Sequence, residues 1–331
     1  MLQPLAALYG WLARRARNRT PAALALPVPV LVVGNLIVGG AGKTPTVMAL
    51  VIAFQAAGRK PGVISRGHGR SGEDVRAVEA DQHATEVGDE PLLVKRRTGV
   101  PVWVGRERRA AALALCAAHP EVDVLISDDG LQHLALARDA ELLVFDQRGL
   151  GNGLLLPAGP LREAAPAALQ THQRVLYTGD SASTPLPGGL ASRSIERAWP
   201  LQAWQAGDAS GAVPLASLQG KTLLAAAGMA APEKFFAMLS RYGLNFSRLP
   251  LPDHHDYAAL PWPANTPDVL VTEKDAVKLL NRPLLGTRIW VLPLDFELPA
   301  DLAESLLTLL PNVQQPPPTR IDSNPPTRPL H

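Results

Sequence analysis

The stretch Val30-Leu-Val-Val-Gly34-Asn35-Leu-Ile-Val-Gly39-Gly40-Ala41-Gly42-Lys43-Thr44-Pro45 decides the fold class. An apolar, β-rich run enters a glycine-rich turn and leaves it as a helix. Glycines let the backbone bend tightly enough for its N–H groups to converge on phosphate oxygens, and the helix N-terminus adds partial positive charge. Lys43 would reach the β/γ-phosphates of ATP, and the Thr44 hydroxyl would ligate Mg²⁺. Pro45 falls in the first helical turn, where a missing N–H is tolerated. Gly39, Gly40, Ala41, Gly42, Lys43 and Thr44 are thus the expected nucleotide-binding residues.

Outward from this turn, apolar runs alternate with helical patterns. Val28–Val33, Gly62–Ser65, Val102–Val104, Val122–Ser127, Leu142–Asp146 and Arg174–Tyr177 read as strands, with helices at Thr44–Ala57 and Arg108–Ala118. Near-continuous apolar strands separated by helices predict an α/β fold: a parallel sheet covered on both faces, of the P-loop NTPase kind. The Ser-, Pro- and Gly-rich segment Ser181–Arg193 predicts a loop. A second βα series follows, with strands at Thr222–Ala227, Val269–Thr272 and Ile289–Leu292 and a helix at Phe235–Leu239. The expected organisation is a helix over residues 1–20, a P-loop domain over 21–216, a smaller α/β lobe over 217–310 and a disordered Pro-rich tail over 311–331.

The chain of 331 residues is 47% hydrophobic with a net charge of +2, so no basic field points to nucleic acid, and at 5% aromatics no base-stacking platform does either. The single cysteine, Cys116, excludes an intrachain disulfide and reads as a small core residue in a helical run. No apolar run approaches the roughly 18 residues of a membrane span. Leu2, Leu5, Leu8, Tyr9 and Leu12 nevertheless recur at helical spacing, with Trp11 beside them and Arg14, Arg15, Arg17 and Arg19 following. Apolar residues before basic ones reverse the order of a secretory signal. They fit an amphipathic helix lying on an anionic membrane surface, or a helix packed on its own domain.

Acidic groups to hold Mg²⁺ and a base for an acceptor hydroxyl are sought at the carboxyl ends of the strands. Asp128 and Asp129 end the Val122 run, where two adjacent carboxylates repel unless a cation or hydrogen bonds compensate; His133 follows them. Gly88-Asp89-Glu90-Pro91 is a second acidic pair, in which Asp89, taken alone, reads as a helix N-cap. Asp253-His254-His255-Asp256 carries little metal signal, but an imidazole paired with a carboxylate from the other lobe is an apt base. Arg66, Arg106 and Arg162, at loop positions after strands, suit an anionic acceptor.

Assembled in order, these segments resemble the tetraacyldisaccharide 4′-kinase family, the lipid A disaccharide kinases of Gram-negative bacteria. The resemblance rests on Val33-Gly-Asn35 through Pro45, Ser65-Arg-Gly, Gly88-Asp-Glu-Pro91 and Asp128-Asp-Gly-Leu-Gln-His133. It continues through Gly149 to Glu163, Asp253-His-His255 and Thr272-Glu-Lys-Asp-Ala-Val-Lys278. It implies ATP- and Mg²⁺-dependent phosphorylation of the 4′-hydroxyl of an acylated glucosamine disaccharide 1-phosphate, between two α/β lobes. It also implies peripheral attachment of residues 1–20 to the cytoplasmic face of the inner membrane; no protein partner is expected. By motif position, Asp89 resembles the catalytic base, assisted by a histidine assigned to His254, with His255 the alternative because the motif holds two. Glu90, Asp128 and Asp129 resemble groups serving Mg²⁺ or the phosphoryl site, and Arg66, His133 and Arg162 groups lining the cleft. His68 stands where the family commonly has tyrosine, and which arginine of Arg106–Arg109 faces the substrate stays open. Ile37 departs from the strict G-x-x-x-x-G-K-S/T pattern, as the family's own loop does. The rival reading is a membrane-associated partitioning-type ATPase, whose signature lysine is replaced here by Val38.

Overall fold

The apolar run that feeds the glycine turn becomes β1 (Val30–Gly34), buried along its whole length. The computed structural model describes residues 2–19, 24–280, 282–284 and 286–311; all but the first residue of the expected tail lies outside them. Seven further strands complete the first sheet: β2 (Pro61–Ser65), β3 (Arg76–Ala77), β4 (Val102–Val104), β5 (Val124–Asp128), β6 (Ala140–Phe145), β7 (Gln173–Tyr177) and β8 (Gly189–Leu190). Their order is β3-β4-β2-β5-β1-β6-β7-β8, and only β3–β4 is antiparallel.

Parallel pairing demands crossovers, and helices on both faces explain why the inner strands β1, β2, β5 and β6 are buried along their whole length. The chain begins with α1 (Gln3–Arg19); α2 (Lys43–Ala56), α3 (Ala84–Val87), α4 (Asp89–Thr98) and α5 (Arg108–Ala118) follow. Leu31 and Val33 face the core that holds Val47, Leu50, Phe54 and Leu92. Val30 and Val32 face the opposite core, with Ala111, Ala112 and Leu115. Helix α5 buries Arg108, Ala111, Ala112 and Leu115, the i, i+3, i+4, i+7 stripe of a helix seated on a sheet by one face.

The second sheet is six-stranded. The chain passes through β9 (Ser192–Ser194) into β10 (Arg197–Pro200), α6 (Leu201–Ala206), β11 (Val213–Pro214), β12 (Leu223–Ala227), α7 (Pro232–Arg241), β13 (Phe246–Pro250), β14 (Asp268–Thr272), α8 (Glu273–Ala276) and β15 (Arg288–Leu292). The order is β11-β10-β15-β14-β12-β13. Strands β10 and β11 come before residue 217, and β8 and β9 occupy part of the segment expected to be a loop. The chain then returns through β16 (Asp295–Glu297), antiparallel to β9, into α9 (Leu302–Leu307). Leu302, Leu306 and Leu310 join the core of the first sheet, not the second.

On α1, Ala6 is buried, whereas Leu5, Leu8, Trp11 and Leu12, with Leu2 just before the helix, are about half exposed. No helix among the described residues is long and apolar enough to cross a membrane. At the other end of the sheet, adjacent β2, β5 and β1 bring Ser65, Asp128 and the glycine turn side by side at their carboxyl ends. Ligands of open parallel sheets collect at that edge.

Candidate active site

The turn after β1 is tied down by its carbonyls. Arg148 donates to the oxygens of Val38 (3.1 Å) and Gly40 (3.0 Å), buried Asn35 to Gly39 (3.1 Å), Thr178 to Ala41 (2.9 Å) and Thr46 to Gly42 (2.8 Å). Five consecutive acceptors are thereby occupied, which leaves the amide side of the turn for an anion. Gly39 (φ 90°) and Gly42 (φ 85°) adopt the left-handed conformation that glycine takes without strain. A Cβ at Gly40 would meet nothing within 4 Å, so the turn is open there. Lys43, at the start of α2, donates to Asn35 Oδ1 at 3.0 Å and lies 3.6 Å from Asp129. Thr44, beside it, is buried.

Asp128 and Asp129 differ sharply. Asp129 accepts from Arg162 at 2.9 and 3.3 Å, and Arg162 also donates to the Asn35 carbonyl at 2.7 Å. Burial would raise the Asp129 carboxyl, but Lys43 and Arg162 together hold it below its ordinary value. Asp128 is buried and its Oδ1 has no hydrogen-bond partner. Burial first, then the Glu90 charge, pushes it up to about 7. A desolvated carboxylate with an unused oxygen, at the strand end beside a phosphate-binding turn, fits a hard divalent cation.

Across the cleft, the N-cap of α4 is Gly88, and Asp89 is the first helical residue rather than the cap. The Ser65-Arg-Gly and Gly88-Asp-Glu motifs lie against each other: a Cβ at Gly88 would fall 3.0 Å from Gly67 Cα. Asp89 is 5% exposed and accepts from His254 Nδ1 at 2.9 Å. Two lysines of the second lobe flank it, Lys278 at 3.5 Å and Lys274 at 4.0 Å; Lys274 also reaches Glu90 (3.1 Å) and Asp253 (3.2 Å). Burial opposes ionisation of Asp89, but the His254 hydrogen bond and the two ammonium groups outweigh it and hold the carboxyl at about 2. The same hydrogen bond raises the His254 imidazole above its ordinary value. His255 instead sets its ring against Tyr257, 4.8 Å away. Asp89, Glu90 and His254 offer ligand atoms within 4.8 Å of one another. A metal there would have to displace the Lys274 ammonium, so Asp128 is the better cation ligand.

The remaining expected residues divide. The His68 ring lies tilted against that of His254, with centroids 5.0 Å apart, and His133 Nε2 is buried without a partner near the charge of Arg108. Arg66 is exposed just beyond β2, near Arg108 and Glu73. Arg106 lies apart: its exposed guanidinium pairs with exposed Glu73 at 2.8 Å. The buried member of its cluster is Arg108, with an unpaired Nε and a charge that acts on Asp128 and Asp129. Sequence reasoning also missed Asn35, Lys274, Lys278 and the Asp146–Arg148 pair. Asp146 holds Arg148 by 3.0 Å bonds and takes Lys234 of the second lobe at 2.9 Å. The i, i+4 spacing of Lys274 and Lys278 was the available signal, although α8 ends at Ala276 and Lys278 lies in the turn beyond it.

A family model for tetraacyldisaccharide-1-P 4′-kinase matches residues 1–311. The tetraacyldisaccharide 4′-kinase of Leptothrix cholodnii is 53% identical over 319 residues, which cover 94% of this chain and 91% of the relative. That of Methylibium petroleiphilum is 55% identical over 306 residues, covering 89% and 85%. A crystal structure of LpxK from Aquifex aeolicus in complex with ATP is 26% identical, with a TM-score of 0.73 over 93% of this chain and 98% of that one. The match runs through the glycine turn, both acidic pairs and the lysine-bearing α8, and the chain belongs to the tetraacyldisaccharide-1-P 4′-kinase family.

Proposed function

We propose that this chain transfers the γ-phosphoryl group of ATP to the 4′-hydroxyl of a tetraacylated glucosamine disaccharide 1-phosphate, the kinase step its family performs in lipid A biosynthesis. The observation that carries the reading is the facing of two half-sites. A turn whose carbonyls are all occupied lies beside Asp128 and Asp129, and Glu90 is near enough to raise Asp128 while its neighbour Asp89 meets His254 from the other lobe. The family match displaces the partitioning-type alternative.

In this reading Lys43 and the amides of residues 39–44 grip the phosphates. Thr44 and Asp128 would hold Mg²⁺, with Asp129 and Glu90 adjacent, and the ion would neutralise charge between the β- and γ-phosphates. Arg162 fixes Asp129 and the start of the turn. Asp89 orients the acceptor hydroxyl and takes its proton. A loose, metaphosphate-like transition state asks little basicity of it, so a carboxylate of low proton affinity suffices. His68, Arg66, His133 and Arg108 line the cleft for the acceptor.

The exposed row Leu2, Leu5, Leu8, Trp11 and Leu12, with Arg15 over the Trp11 ring at 5.1 Å, supports seating α1 on the anionic cytoplasmic face of the inner membrane. The deciding experiment is transfer of labelled γ-phosphate from ATP to the acylated disaccharide 1-phosphate in detergent micelles. Transfer that requires both Mg²⁺ and the lipid acceptor is the expected result; slow ATP hydrolysis indifferent to the lipid would sink the reading.

Two finer outcomes follow in the same assay. Arg106→Ala should leave transfer within about twofold, whereas Arg108→Lys should lower it about tenfold or more, since a buried fork donor is not replaced by a point charge. Equal losses would put Arg106 back in the cleft. The pH profile should follow His254, because Asp89 at about 2 is ionised throughout the working range. His254 is raised, so the imidazolium persists above pH 6.5, and kcat should rise as it deprotonates, with a midpoint above that value. The interlobe ion pair behaves oppositely: complete below the unfolded value, it is lost as pH rises through the raised folded one. A His254→Gln enzyme that kept the acidic limb would assign the titration elsewhere.

A further inference from the structure

Helix α1 does more than expose an apolar face. Its other side buries Ala6 and Gly10, and Gly10 comes so close to the segment 154–162 that a Cβ there would fall 2.7 Å from the Leu155 side chain. One helical position from that contact, the Tyr9 hydroxyl donates to the Arg162 carbonyl at 2.9 Å. This segment is itself strapped to the first half of the glycine turn: the Val38 N–H donates to the Pro160 carbonyl (2.9 Å) and the Arg162 N–H to the Leu36 carbonyl (2.7 Å). Leu161 bridges both Ile37 and Leu155. Arg162 then reaches inward to Asp129 and to the Asn35 carbonyl. One hydrogen bond therefore separates the helix with the exposed leucines from a guanidinium in the phosphoryl site.

We infer that Tyr9 is a positioning residue that couples the seating of α1 on lipid to the placement of Arg162, so that turnover responds to how α1 lies and not only to how much enzyme is bound. The inference rests on the kinase reading above. A Tyr9 hydroxyl that merely filled space would leave the reaction untouched when removed. A hydroxyl that sets the Arg162 main chain changes kcat while leaving ATP affinity and membrane attachment alone.

The test uses the full chain in mixed micelles with ATP and the acylated disaccharide 1-phosphate, together with cosedimentation on phosphatidylglycerol vesicles. Tyr9→Phe is expected to lower kcat about fivefold, the rate equivalent of one ordinary hydrogen bond, with the KM for ATP and the vesicle-bound fraction each within about twofold. Gly10→Leu, which lifts α1 off Leu155 and adds apolar surface, should lower kcat while vesicle binding holds or rises. In an Arg162→Lys background, Tyr9→Phe should add little, because the effect passes through that side chain. The inference is overturned if Tyr9→Phe keeps kcat within twofold, if its loss multiplies in full with Arg162→Lys, or if its loss tracks a loss of vesicle binding. Failure of the underlying reading shows separately, as wild-type enzyme that transfers no phosphate to the lipid.

Discussion

Replacing Lys43 with Met is expected to lower γ-phosphate transfer by about 10³-fold or more. The ammonium stands between Asn35 Oδ1 at 3.0 Å and Asp129 at 3.6 Å, and it is the leading cation opposing the rise of Asp128. Without it, Asp128, Asp129 and Glu90 face the phosphates with less compensating charge, and the nucleotide meets a cleft that repels it. Binding and turnover should therefore both fall. Methionine keeps most of the aliphatic stem, so the fold should survive and thermal unfolding should stay close to wild type. Transfer within tenfold of wild type would mean that the phosphates are not gripped at this turn.

Asp89→Asn should lower kcat by about 10²- to 10⁴-fold and leave the KM for ATP within about threefold. The change is nearly isosteric and lies across the cleft from the turn, so nucleotide binding has no reason to alter. What is lost is an anion that Lys274, Lys278 and His254 all face. The reacting hydroxyl loses its acceptor, and Lys278, with its side chain 5% exposed, keeps Asp275 as its one carboxylate partner among the described residues. Leaving a buried ammonium short of its partner is destabilising, so unfolding should be followed alongside the rate. A kcat near normal would remove Asp89 from the chemistry. A rate loss matched by a collapse of stability would assign it to holding the lobes together.

Much of this site was legible because it is local. The glycine turn, Asp128-Asp129 and Asp89-Glu90 each sit within a few residues of a strand end or helix start, and apolar runs mark those elements. Strand limits shifted by a residue or two: the Val122 run begins pairing at Val124 and includes Asp128. What could not be read depends on how the second lobe docks. Lys274 and Lys278 become neighbours of Asp89 only through contacts spanning more than 180 residues, and no local pattern encodes that approach. Arg148 escaped notice for a similar reason, since its partners are carbonyls of a turn 108 and 110 residues away. Arg108 rather than Arg106 turns inward because α5 starts there and its buried stripe begins with that residue.

The return of the chain to its starting core bears on how the protein is made. Leu302, Leu306 and Leu310 fill a slot against α2, next to Val47, Val51 and Phe54, yet they follow the whole of the second sheet in the sequence. During synthesis the first lobe emerges complete in its strands but open along that flank, and it stays open while more than a hundred further residues are translated. The nascent chain therefore carries an apolar groove that its own late helix comes to fill. A ribosome stalled before Leu302 would hold a sticky intermediate, a natural client for chaperones that bind exposed apolar surface.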